Sequence, residues 1–330
     1  QQYDSMVQTN TVEGPGLEAG VVRIKGTNRA LAMALDGNGR WCYLNPKLGA
    51  QHAVAEACRK VAITGATPVA ATNNLNFGNP EKPPIMRQFS DAVDGIAEAC
   101  TTLGTPITGG NVSLYNETLG EGIYPTPVLG IVGIIQDVAK AVTAHFTAPG
   151  HDVALLTARY SQDDDATFGS SEYAKEILGT VWGQPPALDL EQEAALQSCI
   201  ITLVDAGLLH SAHDVADGGL AVTVAESCFQ YSIGAQIDVP GTPDPALTLF
   251  GEAASRIVIS CDSAHLANIE NIAASHNLMV HRLGKTGGNS LEIRVNGETA
   301  IRASISELKS AWKDALVDAL GVSATLEVTT

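Results

Sequence analysis

Residues 72–80 read Thr-Asn-Asn-Leu-Asn-Phe-Gly-Asn-Pro, and residues 108–117 read Thr-Gly-Gly-Asn-Val-Ser-Leu-Tyr-Asn-Glu. Each follows a short apolar stretch with strand character, and a helical pattern separates them. The expectation is two polar loops at the ends of neighbouring strands in an α/β domain. Glycine lets backbone N–H groups come close to phosphate oxygens, and Asn or Ser oxygens complete the shell of a hard cation. Together the two stretches read as two sides of a site for a polyphosphate and its magnesium. Asn and Gly are also the usual turn residues, so either stretch alone is equally a plain turn.

Working outward, residues 21–24 and 30–35 are β-rich runs joined by Lys25-Gly26-Thr27-Asn28, a hairpin pattern. A helix follows, with Asn45 as N-cap and Pro46 at its first position. Its apolar stripe is 50, 53, 54, 57, 58, 61 and 62, and Gly65 ends it. A strand over 69–72 leads into the first polar stretch. A second helix over about 84–103 buries Phe89, Val93, Ile96, Ala97, Cys100 and Leu103, and Ile107 leads into the second stretch. Residues 128–135 are nearly all apolar and read as a strand covered on both faces. Pro149-Gly150 marks a break, and the reading is two α/β domains, 1–145 and 146–330. In the second, strands are expected at 153–157, 256–260, 279–283 and 291–295. Helices are expected from an Asp189 cap to Gly207, and near 219–230, 264–276 and 305–320.

The bulk composition fits a packed globular protein of 330 residues, with 45% hydrophobic and 17% charged residues. A formal net charge of −17 argues against a nucleic-acid or anionic-membrane surface, both of which need clustered Lys and Arg. An anionic ligand would need a local cradle of dipoles or a metal. No apolar run reaches the roughly 20 residues of a membrane span, and the start, Gln1-Gln2-Tyr3-Asp4, lacks signal-peptide character. The six cysteines (42, 58, 100, 199, 228, 261) form no Cys-x-x-Cys pair and read as buried free thiols of a cytoplasmic protein. The absence of an initiating Met suggests a piece of a longer polypeptide.

Two further constellations carry polar chemistry. Ser211-Ala212-His213-Asp214-Val215-Ala216-Asp217-Gly218-Gly219-Leu220 places an imidazole and two carboxylates before a helix. Asp214 is a candidate magnesium ligand, and Asp217 is either a second one or the helix cap. Gly169-Ser170-Ser171-Glu172 is a capping pattern. Gly284-Lys285-Thr286 is not a phosphate-binding P-loop, because the glycine required at 279 is Met.

A string of motifs resembles one family. It comprises Leu44-Asn45-Pro46, the run from Ala62 to Pro68, Asn74-Leu75-Asn76-Phe77-Gly78-Asn79-Pro80-Glu81, and Gly109-Gly110-Asn111-Val112-Ser113-Leu114-Tyr115-Asn116-Glu117. His213-Asp214, Asp217-Gly218-Gly219-Leu220, Leu249-Phe250-Gly251-Glu252 and Ser255-Arg256 continue it. The string is similar to the second half of the large subunit (PurL) of phosphoribosylformylglycinamidine synthase, in the PurM-like or aminoimidazole ribonucleotide synthetase-like superfamily, from about Tyr3 to Gly284. The resemblance implies a PurM-like two-domain α/β fold. Its N-terminal domain forms half of a dimeric or pseudo-dimeric β-barrel, followed by a C-terminal α/β domain. It also implies an ATP-dependent amidoligase of purine biosynthesis, with formylglycinamide ribonucleotide, ATP and ammonia as reactants. The implied partners are the first half of the same enzyme, a glutaminase subunit and a small bridging subunit.

By motif position, the resemblance implies ATP contacts at Asn73 and Gly110, a magnesium ligand at Asn111, and a nucleotide-substrate contact at Ser113. Asp214 would hold magnesium at a second nucleotide site. The departures matter as much. The family's Ser-His-Asn-His stretch, with its proposed base, is replaced by Asp36-Gly37-Asn38-Gly39-Arg40. An acidic metal ligand after an arginine is replaced by Arg59-Lys60, and Glu-Ser-Gln by Glu252-Ala253-Ala254. The half is therefore expected to lack a base of its own, to be inactive in isolation, and to self-associate. The alternatives are a non-catalytic nucleotide-binding structural half, or another enzyme of the fold such as aminoimidazole ribonucleotide synthetase or selenophosphate synthetase.

Overall fold

The computed structural model describes residues 10–14 and 18–321. The first four residues and the start of the resemblance at Tyr3 lie outside that range. Strands β1 (Thr11–Glu13), β2 (Gly20–Arg23) and β3 (Ala30–Asp36) lead into helices α1 (Gly39–Leu44) and α2 (Pro46–Ala62). Then come β4 (Thr67–Asn76), α3 (Pro83–Thr102), β5 (Ile107–Ser113), a small hairpin of β6 (Glu117–Thr118) and β7 (Glu121–Gly122), and β8 (Thr126–Ile135). The main strands form an open sheet in the order β1-β2-β3-β8-β4-β5, with β5 at one edge.

The helices form where local chemistry predicts them. The Asn45 side chain accepts the Leu48 N–H with Pro46 at the first position, and every member of the α2 apolar stripe is buried. Gly65, at φ +88°, follows the end of that helix in the left-handed region where glycine carries no penalty. Helices α2 and α3 cover one face of the sheet, and their contact is close. A Cβ on Gly95 of α3 would overlap the Lys47 carbonyl of α2. Val93, expected inside, stands 38% exposed on the outer side of α3.

Strand β3 alternates cleanly. Ala30, Ala32 and Ala34 are buried under the helices, while Met33 and Leu35 are exposed on the opposite face, Leu35 by 72%. Beside them on that face, Val128, Val132 and Ile134 of β8 are only half-buried, so this strand is covered on one face and not both. An apolar sheet face is thus left open.

The second half of the chain builds a seven-stranded sheet in the order β10-β12-β9-β13-β11-β14-β15. Its elements are β9 (Asp152–Ala158), α4 (Asp165–Phe168), α5 (Glu172–Glu176), α6 (Leu190–Asp205), β10 (Ser211–Asp214), α7 (Gly219–Ser227), β11 (Ala235–Val239), α8 (Pro245–Phe250), β12 (Arg256–Cys261), α9 (Leu266–Ser275), β13 (Leu278–Thr286), β14 (Ser290–Val295), β15 (Glu298–Ser304) and α10 (Ile305–Ala319). Helices α6 and α9 pack on one face and α7 on the other. Ala62 and Ile63 at the end of α2 insert into the α6 core, joining the two sheets through apolar contact. All six cysteines are buried and free. Among the described residues no helix is long and apolar enough to cross a membrane.

Substituting Gly95→Ala should force α2 and α3 apart and cost about 1–3 kcal/mol. The urea midpoint should fall with an unchanged slope, and a midpoint equal to wild type would show that the helix contact yields freely.

Candidate functional site

The two polar stretches expected as loops are strands. Strand β4 continues through Asn76 and β5 through Ser113, and they pair in parallel with Asn73 opposite Gly110, Asn74 opposite Asn111, and Asn76 opposite Ser113. Of residues 73–76 only Leu75 is buried, on the helix-covered face, while Asn74 on the other face is exposed. Every residue of β5 up to Val112 is exposed. Among the described residues β5 pairs with β4 alone, which leaves its outward N–H and C=O groups available.

Strand alternation divides the candidate residues between two faces. Asn73 lies on the helix-covered face, where its side-chain oxygen occupies the space a Gly110 side chain would need. Glycine at 110 therefore admits Asn73 and leaves the backbone bare. Asn111 lies on the open face, where its Nδ2 donates to Asn74 Oδ1 at 3.1 Å, so its own carboxamide oxygen stays uncommitted. Asn76 Nδ2 donates to the Thr126 carbonyl at 3.1 Å. The Ser113 hydroxyl is 3.2 Å from Asn116 Oδ1, and Asn116 Nδ2 donates to the carbonyls of Phe77 and Ser113 at 3.1 and 3.0 Å. The result is a polar wall along a sheet edge, rigid in backbone and short of charge. Asn74, Asn76 and Asn116 belong to it, although only their neighbours were singled out from sequence.

Asp214 occupies a different place, on β10 between the two sheets. Arg59 of α2, itself 2% exposed, donates through Nε to Asp214 Oδ1 at 2.5 Å and through Nη1 to Glu193 Oε2 at 2.7 Å. Ser255 also donates to Glu193, and Tyr160 and Ser255 share a hydrogen bond of 2.5 Å. The Asp214 N–H donates to Glu18 Oε1 at 2.7 Å. Next door, Lys60 bridges Asp36 and Glu56 at 2.6 and 2.8 Å. Two cations thus serve five carboxylates. Burial pushes the Asp214 carboxyl up to about 6 although Arg59 opposes it, and pushes Glu18 well above its usual range with Asp214 adding to the rise. Burial also pushes His213 down to about 3, leaving that imidazole neutral.

Among the described residues, one Asp214 oxygen and one Glu18 oxygen have no hydrogen-bond partner. Both residues line a cavity of roughly 170 Å³, shared with Lys60, His213, Asp217 and Glu226. The oxygen donors suit a hard cation: Arg59 holds one Asp214 oxygen and leaves the other facing the cavity, which Lys60 shares. Glu56, Arg59 and Lys60, set among the apolar residues of the second half of α2, are the sequence signal for this network.

Asp217 does not cap α7. The cap residue is Gly218, in the left-handed region at φ +79° with no side-chain bond. Glu252 takes the role instead, its Oε1 accepting from the N–H groups of Gly218 and Glu172 at 2.8 and 2.9 Å. The Ser171 cap is as expected, accepting from Ala174 N–H at 3.2 Å. Arg40 links this region to α1 through Glu172 at 2.5 Å. Burial, reinforced by Asp217, pushes the Glu252 carboxyl up to about 8. The folded state therefore holds this proton more tightly than the unfolded chain. Stability from this group is full below the ordinary value of 4.5 and is lost as pH rises towards about 8. Glu252→Gln keeps the two acceptor contacts without the ionisation. Its stability should fall less than that of wild type between these limits, read from urea midpoints across pH; parallel profiles would refute the assignment.

Comparison with known proteins gives the lineage. The AIR synthase related N-terminal domain family matches residues 16–135 and the corresponding C-terminal domain family matches 149–296. Phosphoribosylformylglycinamidine synthase subunit PurL of Moorella thermoacetica is 44% identical over 96% of this chain and 42% of its own length. That of Thermobifida fusca is 45% identical over 96% and 40%. The chain spans about two-fifths of the length of these curated relatives. Thermotoga maritima PurL structures, complexed with FGAR or with ATP, superpose with TM-scores of 0.75 and 0.73. They do so at 18% and 17% identity, covering 88% and 93% of this chain and 48% and 49% of theirs, which establishes likeness of fold. With both domain models in succession, the chain belongs to the AIR synthase related family, and it is similar to PurL subunits over nearly its whole length.

Proposed function

We propose that this chain is the second half of a PurL-type amidoligase and supplies one wall of a composite site. The reaction joins formylglycinamide ribonucleotide, ATP and ammonia to give the amidine, ADP and phosphate. The observation that carries this reading is the exposed edge strand β5, with Gly110, Asn111 and Ser113 in register with Asn73, Asn74 and Asn76. A bare glycine backbone and unpaired edge N–H groups suit phosphate oxygens. Asn73 would add an uncharged acceptor near the nucleotide, and the Ser113 hydroxyl would meet the ribonucleotide substrate.

The Asn111 carboxamide oxygen is the residue on this wall that would hold magnesium, which when bound neutralises phosphate charge. Asp214 is the corresponding residue of the interior cavity, separate from the wall. This half offers orientation and no base: where the family carries its proposed histidine, Asp36 is tied to Lys60 and Asn38 caps α1. The two domains divide at about residue 145, the enzyme works in the cytoplasm, and a glutaminase subunit with a small bridging subunit delivers the ammonia.

The isolated chain should form no amidine from formylglycinamide ribonucleotide, ATP and an ammonium salt, followed by ADP release. Turnover by this chain alone would remove the case for a composite site.

The open face carrying Met33, Leu35, Val128, Val132 and Ile134, beside the unpaired edge β5, is proposed to seat the first half of the enzyme. Without it, the chain should self-associate through the same face. Sedimentation velocity should show a dimer or larger species that Leu35→Glu shifts towards monomer. A wild-type monomer at micromolar concentration would contradict this.

A further inference from the structure

Three side chains with metal-binding chemistry meet at one end of the second sheet, away from both polar regions. His151 precedes β9, His210 precedes β10 and Asp262 follows β12. Strand β12 pairs antiparallel with β10 on one side, Ser260 opposite Ser211, and with β9 on the other, Cys261 opposite Asp152. The ladder therefore delivers Asp262 between the two histidines. Their backbones are fixed: His210 N–H donates to the Ser260 carbonyl at 2.8 Å, and His151 N–H to Thr286 Oγ1 at 3.0 Å. His265 N–H closes a turn on the Asp262 carbonyl at 2.9 Å.

The side chains converge on these anchors. His210 Nε2 lies 3.2 Å and His151 Nε2 3.9 Å from Asp262 Oδ1, and one ligand atom from each residue lies within 4.8 Å of the others. Among the described residues, His151 Nδ1 and His210 Nε2 are buried atoms without a hydrogen-bond partner. The nearby cations are already matched: Lys285 sits 3.1 Å from Asp152, and Arg282 pairs with Glu270 at 2.8 Å.

We propose that His151, His210 and Asp262 bind a divalent transition-metal ion of the zinc class and clip together the ends of β9, β10 and β12. Two imidazoles with one carboxylate select such an ion over magnesium, which prefers oxygen. Ligands about 2.0–2.1 Å from a tetrahedral ion stand roughly 3.3 Å apart. The His210–Asp262 separation of 3.2 Å already has that spacing, and His151 must close in from 3.9 Å. The rings stack at 3.9 Å and 8°, so their in-plane lone pairs do not yet meet. Binding therefore turns one ring about its Cβ–Cγ bond. His210 has the room, its side chain 37% exposed against 12% for His151. Water completes the shell.

The test uses the full chain, stripped of metal and kept in excess Mg²⁺ so that oxygen-rich regions are not read. Zn²⁺ is titrated in competition with a chromophoric chelator, and Co²⁺ is followed by its visible d–d bands. One equivalent should bind. His210→Ala and Asp262→Ala should each weaken binding by at least about tenfold, and Zn²⁺ should raise the thermal midpoint of wild type but not of the variants. Both substituted positions are partly exposed; circular dichroism checks their folding, and His210→Gln serves if the alanine variant misfolds. No Zn²⁺ binding by wild type, or binding by His210→Ala and Asp262→Ala equal to that of wild type, overturns the site. Neither result bears on the phosphate wall, whose failure is read from nucleotide turnover.

Discussion

The guanidinium of Arg59 sits in the interior between Glu193 and Asp214, and the arrangement of the two sheets depends on it. It projects from α2, which packs on the first sheet, and reaches α6 and β10, which belong to the second. Taking these groups from water is costly, so the ion pairs are better understood as fixing one docking geometry than as a net gain in stability. Removing the arginine would strand two carboxylates in an apolar setting, a far larger penalty than the pairs themselves return. The apolar insertion of Ala62 and Ile63 beside it supplies the attraction, and the ions supply the register.

The same imbalance of charge explains the character of the neighbouring cavity. Burial raises both the Glu18 and the Asp214 carboxyl, and at Glu18 the charge of Asp214 adds to the rise, so the cavity favours proton uptake. The edge wall of β4 and β5 is the electrostatic opposite. Its side chains are neutral amides and a hydroxyl, exposed or half-buried, so it can approach an anion without a repulsive field of its own.

Local chemistry made much of the fold legible. The Asn45-Pro46 start and the Gly65 stop located α2, and the Asp189 cap located α6, because capping and periodicity act within a few residues. The polar strands were misread for a tertiary reason. Residues 73–76 and 109–113 carry turn-forming Asn and Gly, yet pairing in a sheet overrides that preference, with Leu75 filling the helix-covered face. Strand β10 was hidden in the same way, since Ser211-Ala212-His213-Asp214 satisfies its polar groups through partners far along the chain. Glu252 as the cap of α7 could not be read from sequence, because donor and acceptor lie 34 positions apart. The motif string found the wall but not its division into two faces, which only strand alternation in a known register reveals.

That division has an evolutionary corollary. A single-residue insertion or deletion within β4 or β5 would transpose every carboxamide downstream of it to the opposite side of the sheet. The wall can thus accept exchanges of side chain more readily than changes of length, and its spacing from Asn73 to Asn76 against Gly110 to Ser113 acts as a ruler.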